Sequence, residues 1–207
     1  MSKITVNLRH RIVKLIAPKL FEDWSIRCGV DSIDFYRPMV SFLKDQFGNK
    51  PLVGCEVGVR EGINALRILK TLNIKRLYLI DPYMPYYEPL IPGTLTLQYH
   101  EKMKAEAYKK LKDYKDRVVW VHQSSNQAFT SIKDDLDFCY LDGNHSFAEV
   151  CGDIENFGKL IVKDGVLGGH DFTQAYFGLC QAVLDAEKSG TWNKLSGAVY
   201  DWWLIKK

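Results

Sequence analysis

The sequence has no C-x-x-C pair, no internal repeat, no low-complexity tract and no apolar run approaching the roughly 20 residues of a membrane span. Its first residues lack the apolar core of about 7–15 residues that marks a secretory signal. An excess of one charge is also missing: 28 basic residues face 25 acidic ones, net +3. The pI of about 8.5 lies below the range above ~9 usual for nucleic-acid binders, so nucleic acid is not the expected partner. The five cysteines, at 28, 55, 139, 151 and 180, are odd in number. They do not form the framework of a disulfide scaffold, and Cys55 and Cys139 sit in apolar runs as buried thiols do. A cytoplasmic location without membrane contact is the expectation.

Hydrophobic residues make up 46% and charged residues 26% of the 207 positions, which excludes a mostly disordered or collagen-like chain and suits one core. Residues 1–20 carry Lys3, Arg9, Arg11, Lys14 and Lys19 and no acid, a solvated helix face or a contact for an acidic partner. Residues 1–50 show no strand pattern and read as a helical extension. Asp31-Ser32-Ile33-Asp34 could cap a helix running through Phe35, Met39, Phe42 and Leu43 towards Gly48, with Pro38 in its first turn. This extension could cap a pocket or pair with a second subunit, so a homo-oligomer is open.

From Pro51 to the end, strand and helix signals alternate. Short apolar runs at 51–57, 77–80, 118–121, 136–141 and 165–169 read as strands covered on both faces. Helical stretches at about 61–72, 97–115, 124–132, 146–159 and 174–188 separate them. Such alternation predicts an α/β domain with a doubly wound, mostly parallel sheet over 51–207. Val199–Ile205 would close a sheet edge, and Trp192, Trp202 and Trp203 would serve the sheet face and that edge. The segment 82–96, rich in Pro and Tyr, cannot be a helix interior. It reads as an ordered loop or as an aromatic wall in which Tyr83, Tyr86 and Tyr87 line an acceptor pocket.

The chemistry-bearing residues follow strand ends, where open α/β sheets bind ligands. The first run ends in Glu56-Val57-Gly58-Val59-Arg60-Glu61-Gly62, spaced E-x-G-x-x-x-G. Glycines there permit close backbone approach to a ligand, and the next helix offers free N–H groups. Asp81 stands 19 residues after Gly62, where an acid can accept ribose hydroxyls. Together they indicate a nucleoside-bearing cofactor. A dinucleotide oxidoreductase remains an alternative, although Val59-Arg60-Glu61 fills the stretch where a second close-approach glycine belongs. A non-catalytic binding module of the same fold is another.

Glu56–Gly62 with Asp81 resembles the first two motifs of class I S-adenosylmethionine-dependent methyltransferases. Gln123-Ser124-Ser125, Asp142-Gly143-Asn144-His145-Ser146-Phe147 and Gly165-Val166-Leu167-Gly168-Gly169-His170-Asp171-Phe172 follow in matching order. The last two are similar to the macrocin O-methyltransferase and cephalosporin-hydroxylase-like branch. The resemblance implies a Rossmann-like seven-stranded sheet of order 3-2-1-4-5-7-6 with strand 7 antiparallel, and S-adenosylmethionine as cofactor. It implies that Gly58 and Gly62 border that cofactor's methionine half and that Glu56, Val57 and Gly143 also belong to its site. Asp81 would hold its ribose, Ser124 or Ser125 its adenine, and Asp142 would lie beneath the reacting sulfonium.

Asp142 and Asp171 follow strands that are neighbours in this order, about 4.8 Å apart, and can converge. With His170 they could hold a divalent cation such as Mg²⁺ or Mn²⁺ that activates a hydroxyl. The resembling metal enzymes have an Asp-Asn pair where His170-Asp171 stands here, and imidazole suits Mg²⁺ poorly. His145 or His170 could instead act as the base. The expected reaction is methyl transfer to the hydroxyl of a small-molecule acceptor.

Overall fold

The structure, a computed structural model, describes residues 37–86 and 96–207. The basic stretch 1–20, the expected cap at 31–34, Cys28 and the tip of the Pro/Tyr segment at 87–89 lie outside the described residues. In chain order the elements are α1 (Pro38–Phe47), β1 (Leu52–Val57), α2 (Ile63–Thr71), β2 (Ile74–Ile80), α3 (Leu97–Leu111), β3 (Val118–Val121) and α4 (Ser125–Ala128). They continue with β4 (Leu136–Leu141), α5 (Phe147–Leu160), β5 (Ile161–Gly169), α6 (Phe177–Lys188), β6 (Ser196–Ala198) and β7 (Asp201–Ile205).

The strands form one seven-stranded sheet of order β3-β2-β1-β4-β5-β7-β6. β1 to β5 pair in parallel, and β7 runs antiparallel to β5 and β6. This is the expected Rossmann-like order. β2 and β5 each start earlier than their apolar runs, because Lys75-Arg76 and Val162-Lys163-Asp164 lie at the less covered end of the sheet. Val199–Ile205 does not close the edge. β7 is interior and the three-residue β6 takes the edge, the two joined by a tight turn in which Val199 has φ 58°.

Side chains alternate across the strands into two core layers. Phe138 and Tyr140 of β4 join Met39, Leu43, Leu66, Leu77 and Trp203 on one face. Cys139 and Leu141 join Val150, Phe157, Val183, Trp192 and Trp202 on the other. Each fully buried large side chain contributes roughly 1.5–3 kcal/mol. Cys55 and Cys139 are register partners on β1 and β4, free and buried.

α1 belongs to the same core as the residues beyond position 50, since Met39, Val40 and Leu43 are buried against the sheet. Pro38 takes its first turn, where a missing N–H costs nothing. The Met39 N–H donates to Asp201 Oδ2 at 3.0 Å, and the Tyr140 hydroxyl donates to Asp201 Oδ1 at 2.8 Å. Burial pushes the Asp201 carboxyl up to about 6, while those two donors and Arg37 pull against it. A helix near the start of the described chain is thus tied to its last strand.

Glu56 at the end of β1 is 1% exposed and accepts from Asn64 Nδ2 at 3.0 Å. Burial pushes its carboxyl up to about 8 from 4.5, against the Asn64 hydrogen bond. The folded protein therefore holds a proton that the unfolded chain releases near its ordinary pKa. Stability falls as pH rises through that window and levels off above the folded value. Glu56→Gln is expected to flatten this slope, so that the variant gains on the order of 3 kcal/mol over wild type between pH 5 and pH 8 in urea unfolding. Parallel pH profiles of the two proteins would show that Glu56 is not the buried acid responsible.

Candidate active site

The C-terminal ends of β1, β2, β4 and β5 open into one hollow of about 1060 Å³. Its size is at the upper end of the range for small-molecule sites. Glu56, Val57, Gly58, Asp81, Ser124, Ser125, Asp142, Gly143, His145, His170 and Asp171 all line it. Of the expected site residues only Gly62 is not among its lining. At φ 75° it caps α2, and a Cβ there would press on Ala107 of α3, which gives it a packing role.

Gly58 is fixed by its surroundings. Its φ is 84°, and a Cβ would overlap the Asp142 carbonyl oxygen. Backbone bonds from Gly58 N–H to Ile80 O (2.9 Å) and from Asp142 N–H to Val57 O (2.8 Å) hold the ends of β1, β2 and β4 together. Asp81 is engaged from within. Its Oδ2 accepts the N–H groups of Val59 (3.0 Å) and Arg60 (2.9 Å), and its Oδ1 accepts that of Tyr83 (2.8 Å). A carboxylate has about four acceptor positions, so one remains for a ligand.

Tyr83 does not line the hollow. It is 4% exposed, and its hydroxyl donates to Arg60 O at 2.9 Å. The wall there is made by Pro82, Met84, Pro85 and Tyr86, and Tyr87 lies outside the described residues. Ser124 bonds within its own turn, to Asn126 Oδ1 at 2.6 Å. Ser125 bonds Asp153, whose carboxyl burial pushes up to about 7 against that bond. His100 and His122, without company in the sequence, line the same hollow. His122 shares hydrogen bonds with the Tyr108 hydroxyl (2.9 Å) and Asp81 O (3.2 Å).

The opposite end of the hollow concentrates charge. His145 Nε2 lies 3.2 Å from Asp171 Oδ2 and 3.9 Å from Asp142 Oδ1. His170 Nδ1 lies 3.0 Å from Asp171 Oδ1, and its Nε2 lies 4.0 Å from Asp201 Oδ1. Arg37 Nη2 stands 3.6 Å from Asp142 Oδ2. Burial works to raise the Asp142 carboxyl, but His145 and the charges of Arg37 and His170 outweigh it and hold it below the usual range. Asp171 has φ 62°, a left-handed conformation that Asp tolerates better than most residues and that turns the chain sharply after His170. Tyr176 packs on the His145 ring at 4.3 Å between centroids.

Asp142, His170 and Asp171 each present one ligand atom within 4.8 Å of the others. A hard cation prefers oxygen donors, whereas here one donor is imidazole and a guanidinium already faces Asp142. Arg37, Asn64, Tyr176 and Asp201 are the site neighbours that sequence reasoning missed. Asp201 left a signal, an acid inside the apolar run Val199–Ile205. Arg37 left none, because only the packing of α1 brings it to Asp142.

Among the described residues no helix is long and apolar enough to cross a membrane. The family model described as "Methyltransferase domain" matches residues 55–172. No curated protein matches the sequence. Among solved structures, an S-adenosylhomocysteine-bound methyltransferase from Podospora anserina aligns with a TM-score of 0.64 at 13% identity, covering 100% of this chain and 97% of the other. A Staphylococcus aureus protein described as a caffeoyl-CoA O-methyltransferase aligns at 0.63 and 12% identity, covering 97% and 100%. An rRNA methylase from Streptococcus thermophilus aligns at 0.59 and 11%, covering 83% and 97%. At such identities these likenesses speak for the fold alone, and it is the family match over more than half of the sequence that decides kinship: the chain belongs to the class I S-adenosylmethionine-dependent methyltransferases.

Proposed function

We propose that this methyltransferase transfers its methyl group to a hydroxyl oxygen of a small molecule, as in the macrocin O-methyltransferase-like branch that its strand-end motifs resemble. The observation that carries this reading is His145 Nε2 at 3.2 Å from Asp171 Oδ2, within the hollow and beyond the glycine loop. A neutral hydroxyl needs help to lose its proton, whereas many amines do not. A histidine oriented by a carboxylate supplies that help.

The lining suits the donor. Glu56 Oε2 and Asn64 Oδ1 are buried acceptors with no hydrogen-bond partner among the described residues, and both residues line the hollow. They fit an ammonium group at the methionine end, whose charge would draw the proton off Glu56. The remaining acceptor position of Asp81 fits a ribose hydroxyl, and the turn at Ser124 and Ser125 fits adenine. When bound, S-adenosylmethionine supplies an electrophilic methyl on a sulfonium that departs as a neutral thioether. His145 takes the proton of the acceptor hydroxyl, and Asp171 orients the ring and balances the imidazolium. Asp142 and Gly143 bound the space where donor and acceptor meet. Holding the reactants in line is the larger contribution, up to about 7–11 kcal/mol.

Titration calorimetry with S-adenosylhomocysteine is expected to show binding to wild type and at least a tenfold loss in Asp81→Ala. Equal affinity in a folded variant would remove the ribose assignment. His145→Gln is expected to lower turnover by about 10²–10⁴-fold while leaving S-adenosylhomocysteine affinity within about threefold. Turnover is read as S-adenosylhomocysteine release over a panel of small hydroxyl compounds, small amines and RNA. Release with amines or RNA alone would overturn the oxygen acceptor, and an unimpaired His145→Gln would overturn the base.

A further inference from the structure

Arg37 is out of place for a surface arginine. It precedes α1 directly, and α1 is fastened to the sheet by the Met39 N–H bond to buried Asp201 Oδ2 at 3.0 Å. Met39 also seats against Gly168 of β5, where a Cβ would collide with its sulfur at 2.6 Å. The Arg37 backbone is therefore held at a fixed distance from β5 and β7. Its side chain is 14% exposed and lines the hollow, with Nη2 3.6 Å from Asp142 Oδ2. Burial opposes its charge, but Tyr140, Asp142, Asp201 and Asp171 oppose that burial and keep it cationic.

The acids that surround Arg37 include two of the three residues whose ligand atoms converge within 4.8 Å, Asp142 and Asp171. A divalent ion on those atoms would need the same Asp142 carboxylate and would face a guanidinium that cannot lose its proton. Two cations would then share one carboxylate in a partly desolvated corner, where like charges repel strongly.

Resting on the reading that this corner is the reacting end of the methyltransferase, we propose that Arg37 is its resident cation: a positioning residue that neutralises and holds Asp142 and so stands in for a divalent metal. The wild-type corner has its positive charge built into the chain. An acceptor hydroxyl then loses its proton to His145 without a metal, and the donor meets an Asp142 that is already paired.

The test is calorimetric titration of MnCl₂ into wild type, Arg37→Gln and Arg37→Lys, each with and without S-adenosylhomocysteine. Wild type and Arg37→Lys are expected to bind Mn²⁺ no tighter than millimolar, and Arg37→Gln at least tenfold tighter. Asp142→Asn in the Arg37→Gln background is expected to abolish that gain. A merely structural arginine would not give this pattern, since lysine restores charge but not the fork of hydrogen bonds. Equal Mn²⁺ affinity in wild type and Arg37→Gln would overturn the proposal. Micromolar Mn²⁺ binding by wild type would overturn it without any variant, should Arg37→Gln fail to fold. Loss of S-adenosylhomocysteine binding by wild type would instead strike the underlying reading, whereas intact binding with unchanged metal affinity strikes this proposal alone.

Discussion

Two carboxylates in a cavity that water only partly reaches need hydrogen-bond donors or positive charge beside them, and the arrangement around Asp142 and Asp171 follows from that need. His145 and His170 flank Asp171 at 3.2 and 3.0 Å, and Arg37 faces Asp142 at 3.6 Å. The chain meets the requirement with its own side chains, drawn from the residue before α1 and from the segments that follow β4 and β5. The left-handed turn at Asp171 lets one carboxylate serve both imidazoles.

The sheet makes this meeting possible. β1 lies between β2 and β4, and β4 lies between β1 and β5, so four strand ends deliver their next residues to one rim. Gly58 brings the β1 exit against the Asp142 backbone. Asp81 braces the same loop through the Val59 and Arg60 N–H groups. Asp81 therefore has two claims on it: shaping the loop, and presenting its last acceptor position to a ligand.

Much of this was legible in the sequence. Apolar runs located β1, β3 and β4 to within a residue; β1 and β4 are covered on both faces and have little room for polar side chains, whereas β3 is an edge strand with Val119 exposed. The starts of β2 and β5 were hidden where Lys75-Arg76 and Lys163-Asp164 face solvent. The Pro/Tyr segment suggested an aromatic pocket wall, yet Tyr83 turns inward because Arg60 O accepts its hydroxyl, a partner set by tertiary structure alone. Every residue that the strand-end motifs singled out for the site lines the hollow except Gly62, which packs against α3. Arg37 was invisible, since no local pattern reports on a contact between residues so far apart in sequence.

The tie between Met39 and Asp201 joins the beginning of the described chain to its last strand. During synthesis α1 leaves the ribosome well before β7, so its anchor does not yet exist when it emerges. The sheet from β1 to β5 can assemble first, with its glycine loop and Asp81 already in position. The place of Arg37 beside Asp142 thus depends on the final hairpin as well as on α1.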